Sequence, residues 1–179
     1  MEIEYFLYTD GSGHQDGYGG WSSLLVSDKH NVYDLRMTAC KGTTTDRAEF
    51  EALLAGLQTV VDFHKLDIER DFESFREQRP GLLWTSDRQS LVESVQRDAE
   101  GNPINRRRKM LDLWARFAFY EPLFSIHARW IPRETNPYQS ITDVLASDGR
   151  VLIKNFMELP ERQPSFLLEG LPAVTVATA

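Results

Sequence analysis

Tyr5-Phe-Leu-Tyr-Thr-Asp10-Gly-Ser-Gly-His-Gln-Asp-Gly17-Tyr-Gly-Gly-Trp21-Ser-Ser-Leu-Leu-Val26 is the stretch that decides the fold. Residues 5–9 are aromatic and β-prone, five glycines punctuate residues 11–20, and residues 21–26 resume a strand pattern. A turn at residues 27–30 leads into a third strand at residues 31–39. Connections this short require antiparallel neighbours, because a parallel return needs a crossover of about a dozen residues or more. The chain therefore opens as a three-strand meander.

Beyond it the period changes. Phe50, Leu53, Leu54, Leu57, Val60 and Val61 form one face of a helix starting near Asp46. A polar continuation over residues 62–79 keeps Ile68, Phe72 and Phe75 at helical spacing and stops before Pro80. Leu82, Leu83 and Trp84 read as a strand buried on both faces, after which Ser86 or Asp87 caps a helix through Leu91, Val92 and Val95. Met110, Leu113, Trp114 and Phe117 mark the next helix, which Pro122 ends. Phe124, Ile126, Ala128 and Trp130 alternate with polar residues as a strand, and Ile141, Val144 and Leu145 carry the last helix. The order predicts an α/β fold with a mixed sheet covered on both faces. The signals fade after Gly149, so residues 1–150 are expected to form the domain and residues 151–179 a tail or docking segment.

Composition narrows the classes. With 179 residues and 41% apolar content the chain can bury a core without staples. A single cysteine, Cys40, excludes a disulfide scaffold and fits a reducing, cytoplasmic location. No apolar run approaches the ~18 residues of a membrane span and the first residues lack a signal-peptide pattern, so membrane insertion and secretion are not expected. Twenty Lys and Arg against 27 Asp and Glu give a charge of -7, which opposes binding to polyanions unless a basic patch exists. Arg106, Arg107, Arg108 and Lys109 supply one.

The chemistry lies in four acids at the ends of these elements: Asp10, Glu49, Asp87 and Asp143. Each has a bland explanation alone. Asp10 opens a turn, Asp46-x-x-Glu49 matches a helix capping box, Asp87 is a candidate helix cap, and Asp143 is a solvated helix position. Together they converge in the expected topology and would repel one another unless cations intervene. Two divalent ions about 3.5 to 4 Å apart make a clamp for displacement at phosphorus, and oxygen-only ligands favour Mg2+ or Mn2+ over zinc.

Four blocks in order carry a resemblance: Tyr8-Thr-Asp10-Gly-Ser12 with Gly17-Tyr-Gly-Gly-Trp21, Thr44-Thr-Asp46-Arg-Ala-Glu49, Thr85-Ser-Asp87-x-Gln89, and Thr142-Asp143-x-Leu-Ala146. Over residues 3–148 the sequence resembles the ribonuclease H type I family. That resemblance implies an RNase H-like five-stranded mixed sheet, in which the meander and two parallel strands share a central first strand, with helices on both faces. It also implies a nuclease that hydrolyses the RNA strand of RNA/DNA hybrids, leaving 5′-phosphate and 3′-hydroxyl ends. One of two metal ions would be held by Asp10 and Asp143, the other by Asp10, Glu49 and Asp87. The 2′-hydroxyl would select the strand. Ser12, Thr45, Gln89, Arg133 and the basic cluster of Arg106, Arg107, Arg108 and Lys109 are the candidate substrate contacts, and the protein is expected to act as a monomer.

The pattern also departs from that family. Many members place a His ten residues, and an Asn four, before the last Asp; here those positions hold Arg133 and Gln139. Alternatively, Ile131-Pro-Arg133-Glu-Thr-Asn136 resembles a His-less variant with three residues inserted before Asp143. Arg133 cannot cycle a proton near neutral pH but can hold a phosphate. The family's paired Asn residues are Thr45, still able to donate, and Asp46, read as a helix cap. His14 and His127 are expected at the surface, and Trp21, Trp84, Trp114 and Trp130 in the core. An exonuclease of this fold would carry a second acid where Ser12 stands. A catalytically weak or inactive hybrid-binding or interaction module is the alternative from another class.

Overall fold

The computed structural model describes residues 2–98, 104, 109–133 and 135–157. Five strands, β1 (Ile3–Gly13), β2 (Tyr18–Ser27), β3 (Val32–Lys41), β4 (Gly81–Ser86) and β5 (Ser125–Trp130), form one sheet in the order β3-β2-β1-β4-β5. The first three are antiparallel, and β4 and β5 run parallel to β1. The expected mixed sheet with a central first strand is the one observed.

Helix α1 (Thr45–Phe63) packs on β1 and β2. Tyr5 and Leu7 of β1, Leu25 of β2, Phe50, Leu53, Leu54 and Leu57 of α1, and Leu82 and Trp84 of β4 make the main core, which α5 (Leu111–Tyr120) closes with Leu113 and Phe117. Alternation along β1 turns Tyr8 to the opposite face, where it joins Leu24 and Val26 and stacks near Tyr138 of α6 (Pro137–Met157), at 5.1 Å between ring centroids. Helix α6 passes Gly149 and continues to Met157, so the fading of the sequence signals there does not mark the helix end. Residues 158–179 of the expected tail lie outside the described residues. Among those described, no helix is long and apolar enough to cross a membrane.

Among the close approaches that need glycine, two bear on the site. A Cβ on Gly11 would stand 2.1 Å from the Glu49 backbone nitrogen, and one on Gly20 would stand 2.4 Å from the Ala146 carbonyl oxygen. The first lets α1 press its opening turns on the end of β1; the second lets α6 lie flat on β2. Ser22 Oγ donating to the Thr142 carbonyl at 2.6 Å, and the buried Gln139 amide donating to the Thr9 carbonyl at 2.7 Å, fix the start of α6 on the same strands.

Local capping differs from the sequence reading. Thr44, not Asp46, caps α1, accepting from the Arg47 amide, so the Asp46–Glu49 capping box does not form. The helix that follows Asp87 is α4 (Gln89–Val95); neither Ser86 nor Asp87 is its cap, since Arg88 holds that position without a side-chain bond. The polar continuation over residues 62–79 is not one helix but two short ones, α2 (Lys65–Arg70) and α3 (Phe72–Gln78), interrupted at His64 and at Asp71, which caps α3.

His64 anchors this insertion to the sheet. Burial pushes the Tyr5 phenol up, so it stays protonated and donates to His64 Nε2 at 2.5 Å, leaving the imidazole proton on Nδ1 toward Asp67 at 3.5 Å. Burial also lowers the His64 pKa, with nearby His30 adding to it and Asp67 and Glu4 opposing. A histidine whose folded pKa is depressed lends stability that is present above its unfolded value of about 6.5 and is lost as pH falls below it. Urea midpoints measured between pH 7.5 and 5.5 should therefore drop more steeply for the wild-type chain than for His64→Gln; parallel curves would remove His64 from the pH response.

Candidate active site

Asp10 lies near the carboxyl end of β1 and Glu49 in the second turn of α1, each 1% exposed. Asp87 follows the last residue of β4. Because β1 and β4 are parallel neighbours, their ends rise on one side of the sheet, and the contact at Gly11 brings Glu49 to the same place. One carboxylate oxygen from each of Asp10, Glu49 and Asp87 lies within 4.8 Å of the others. Asp143, in the second turn of α6, stands outside that trio, joined to it through Arg133, whose Nε donates to Asp87 Oδ2 at 2.9 Å and whose Nη2 is 3.7 Å from Asp143 Oδ1. Thus three of the four acids meet directly, and the fourth is bridged to them.

Electrostatics follow from this crowding. Burial, then the charges of Asp87 and Asp143, raise the Asp10 pKa to about 7, with Arg133 opposing. Glu49 is pushed well above the usual carboxylate range by burial and then by Asp10 and Asp87, with the Gly11 amide and Arg88 opposing. Ser86 Oγ, 3.5 Å from Glu49 Oε2, and its bond from the Arg88 amide fix the turn between them. Among the described residues, Asp10 Oδ1 is buried without a hydrogen-bond partner. A buried carboxylate oxygen lacking any donor, in a set of hard oxygen donors, fits a divalent cation such as Mg2+ or Mn2+. Burial, and then the charge of Glu51, pushes the Cys40 thiol up to about 11.

The remaining predicted contacts divide. Ser12 lies on β1 two residues beyond Asp10, and Gln89 opens α4 with its amide donating to Glu93 at 2.9 Å. Thr45 is not free to donate to a ligand, since its hydroxyl already donates to the Gly13 carbonyl at 3.1 Å. Asp46, expected as a cap, instead accepts from Arg88 Nε at 2.7 Å. Lys109 precedes α5, while Arg106, Arg107 and Arg108 lie outside the described residues. Arg133 reaches the acids, as either reading of its loop allows; Asn136 Oδ1 accepts from the Tyr138 amide at 2.8 Å at the start of α6. His14 pairs with Asp16 in the turn after β1.

Ser86 and Arg88 as supports of Glu49 were not singled out from sequence. Two tryptophans expected in the core lie outside it, the partly buried Trp21 and, at the end of β5, Trp130. Trp130 is 43% exposed and donates from its indole N–H to the Asp87 carbonyl at 2.9 Å. A terminal strand position next to a catalytic-type loop was the available signal, but periodicity reads only which face a residue takes, not whether anything covers it.

No family model matches this sequence, and no curated protein matches it. Solved structures do. The N-terminal RNase H domain of a Mycobacterium tuberculosis protein, solved as a fusion with maltose-binding protein, matches with a TM-score of 0.65 at 19% identity, over 87% of this chain and 99% of that one. LC11-RNase H1 from compost, in complex with an RNA/DNA hybrid, matches with a TM-score of 0.64 at 18% identity, over 84% and 99%.

The chain has the ribonuclease H-like fold. RNase H1 of the archaeon Halobacterium salinarum shares it at a TM-score of 0.54 and 22% identity, over 81% of this chain and 96% of that one. At such identities the likeness is one of RNase H-like architecture, and the chemistry rests on the site itself.

Asp10→Asn removes one charge from the crowded trio. In chelator it should raise stability by about 1–2 kcal/mol, a shift of several degrees in thermal midpoint. Adding Mn2+ should raise the wild-type midpoint and leave Asp10→Asn nearly unmoved; equal shifts in both chains would place metal binding elsewhere.

Proposed function

We propose that this protein is a divalent-metal-dependent endonuclease that hydrolyses the RNA strand of RNA/DNA hybrids, leaving 5′-phosphate and 3′-hydroxyl ends. The observation that carries this reading is the convergence of Asp10, Glu49 and Asp87, with an unpartnered buried oxygen on Asp10, at the strand ends of an RNase H-like fold. A structural neighbour with a hybrid in its complex supports the same substrate class.

Asp10, Glu49 and Asp87 would hold one ion, and Asp10 with Asp143 a second. Such ions, Mg2+ or Mn2+, supply a nucleophile at neutral pH and offset the charge that builds on the phosphate. The chain's own residues do the rest. Ser86, Arg88 and the Gly11 amide hold Glu49 in place. Arg133 brings a guanidinium to the outer side of the acids, where its planar fork of donors suits a phosphate. Ser12 and Gln89 offer a hydroxyl and an amide beside Asp10 and Asp87 for ribose hydroxyls or base edges. The basic run Arg106, Arg107, Arg108 and Lys109 is proposed to hold the DNA strand, and the chain to work as a cytoplasmic monomer.

The loop beside the acids brings Arg133 to them, and an arginine cannot cycle a proton near neutral pH. A positioned general acid or base is worth about 10²–10⁴ in rate, so turnover is expected to be slow by that order. One observation favours a second reading, a hybrid-binding module without catalysis: Arg133 already pairs with Asp87 and stands 3.7 Å from Asp143.

An end-labelled RNA/DNA hybrid with Mg2+ or Mn2+ separates the two. Cleavage confined to the RNA strand, with 3′-hydroxyl ends and a loss of about 10³-fold or more in Asp10→Asn, is the expected result. Binding without cleavage would establish the module, and preferential cutting of single-stranded RNA or duplex DNA would redirect the assignment.

Arg133→Ala should raise KM for the hybrid about tenfold, the loss of one charge-assisted contact, and lower kcat less. Unchanged kinetics would exclude Arg133 from substrate binding.

A further inference from the structure

Beside the acids, on the side of β5, a groove of about 500 Å3 is lined by Asp87, Arg88, Gln89, Ser90, Glu93 and Trp130. Trp130 pairs with Ser86 across the β4–β5 ladder, and the indole bond to the Asp87 carbonyl fixes the ring. Trp84 and Trp114 belong to the core or pack against it, and Trp130 does not. A large aromatic surface is thus held open to solvent and tied to the backbone of a carboxylate residue in the trio.

The lining is specific in its chemistry. Glu93 on one wall opposes a phosphate. Gln89, Ser90 and Glu93 offer donors and acceptors suited to hydroxyls, and Trp130 offers a flat apolar face suited to the C–H side of a sugar ring. A ribose within a strand presents both its 2′-hydroxyl and its C–H face; a deoxyribose lacks that hydroxyl. Asp87 belongs to the groove and to the acid cluster, so a sugar seated here belongs to the nucleotide next to the reacting phosphate.

We propose that this groove is a ribose subsite, in which Trp130 carries the sugar of an RNA-strand nucleotide adjacent to the cut. This rests on the hybrid-nuclease reading and adds a binding residue to it. Trp130 discriminates RNA from DNA because its packing positions the sugar whose 2′-hydroxyl meets the polar groups of Gln89, Ser90 and Glu93.

The test reads binding on a chain silenced for cleavage. A fluorescent 18-base-pair RNA/DNA hybrid and the DNA duplex of the same sequence are titrated with Asp10→Asn, Asp10→Asn/Trp130→Ala and Asp10→Asn/Trp130→Phe. The Ala variant should weaken hybrid binding about tenfold, the scale of losing one aromatic contact, and duplex DNA binding less than about twofold. The Phe variant, which keeps a ring and loses the indole N–H, should return hybrid affinity to within about threefold. Unchanged hybrid affinity in the Ala variant overturns the proposal. So does a Phe variant as weak as Ala, which would assign the effect to the bond on the Asp87 carbonyl, and so does an equal loss on both duplexes. The outcomes are separable: an unchanged Kd overturns the subsite even if the wild-type chain cuts hybrids, whereas a tenfold, RNA-selective effect upholds it even if the wild-type chain does not.

Discussion

Two of the three carboxylates that meet at the ends of β1 and β4 are almost fully removed from solvent, and that crowding constrains everything around it. At an effective dielectric near 20, two unit charges 4.8 Å apart repel by roughly 3 kcal/mol. Domains are stable by only about 5–15 kcal/mol, so a repulsion of this size is tolerable only if something offsets it. Proton uptake is one answer, visible in the raised pKa values of Asp10 and Glu49. A cation is the other, and it alone also gives the lone Asp10 oxygen a partner.

The scaffold is arranged to hold the acids against that repulsion. Each comes from a different element, so no local rearrangement separates them without breaking tertiary contacts. Asp10 sits on the central strand, Glu49 on a helix whose approach depends on the missing side chain of Gly11, and Asp87 just past the end of the neighbouring parallel strand. Asp143 rides on α6, which Ser22 and Gln139 tie to the sheet. Cations sit outside this ring: Arg88 toward Asp46 and Glu49, Arg133 toward Asp87 and Asp143. They lessen the repulsion without entering the trio.

Under the proposed function, the same arrangement reconciles an acidic protein with a polyanionic substrate class. A net charge of -7 is unfavourable at long range, yet screening confines such fields to about 10 Å at ordinary ionic strength. Within that distance Arg88 and Arg133 offset part of the charge of the acids they border. In the proposed ribose subsite, recognition falls to short-range groups such as the exposed ring of Trp130, which draw on contact chemistry more than on charge.

Much was legible beforehand because strand alternation, helical spacing and short turns are local properties. The meander, the buried β4 strand and the register of α1 follow from periods of 2 and 3.6 and from residues such as Gly17 and Pro80. The four acids were legible as residues of one pattern, spread over 133 positions of sequence between Asp10 and Asp143. Capping was misread at Asp46 because Thr44, Thr45 and Asp46 are all competent caps, and only the packing of Thr45 on Gly13 and of Asp46 on Arg88 distinguishes them. Sequence by itself thus determined which residues share a face and in what order the elements run. Tertiary structure alone decided that Arg133 stands between Asp87 and Asp143, that Gln139 is buried against β1, and that Trp130 is open to solvent. Those facts depend on distances between segments far apart in the chain, and such distances arise only when whole elements pack.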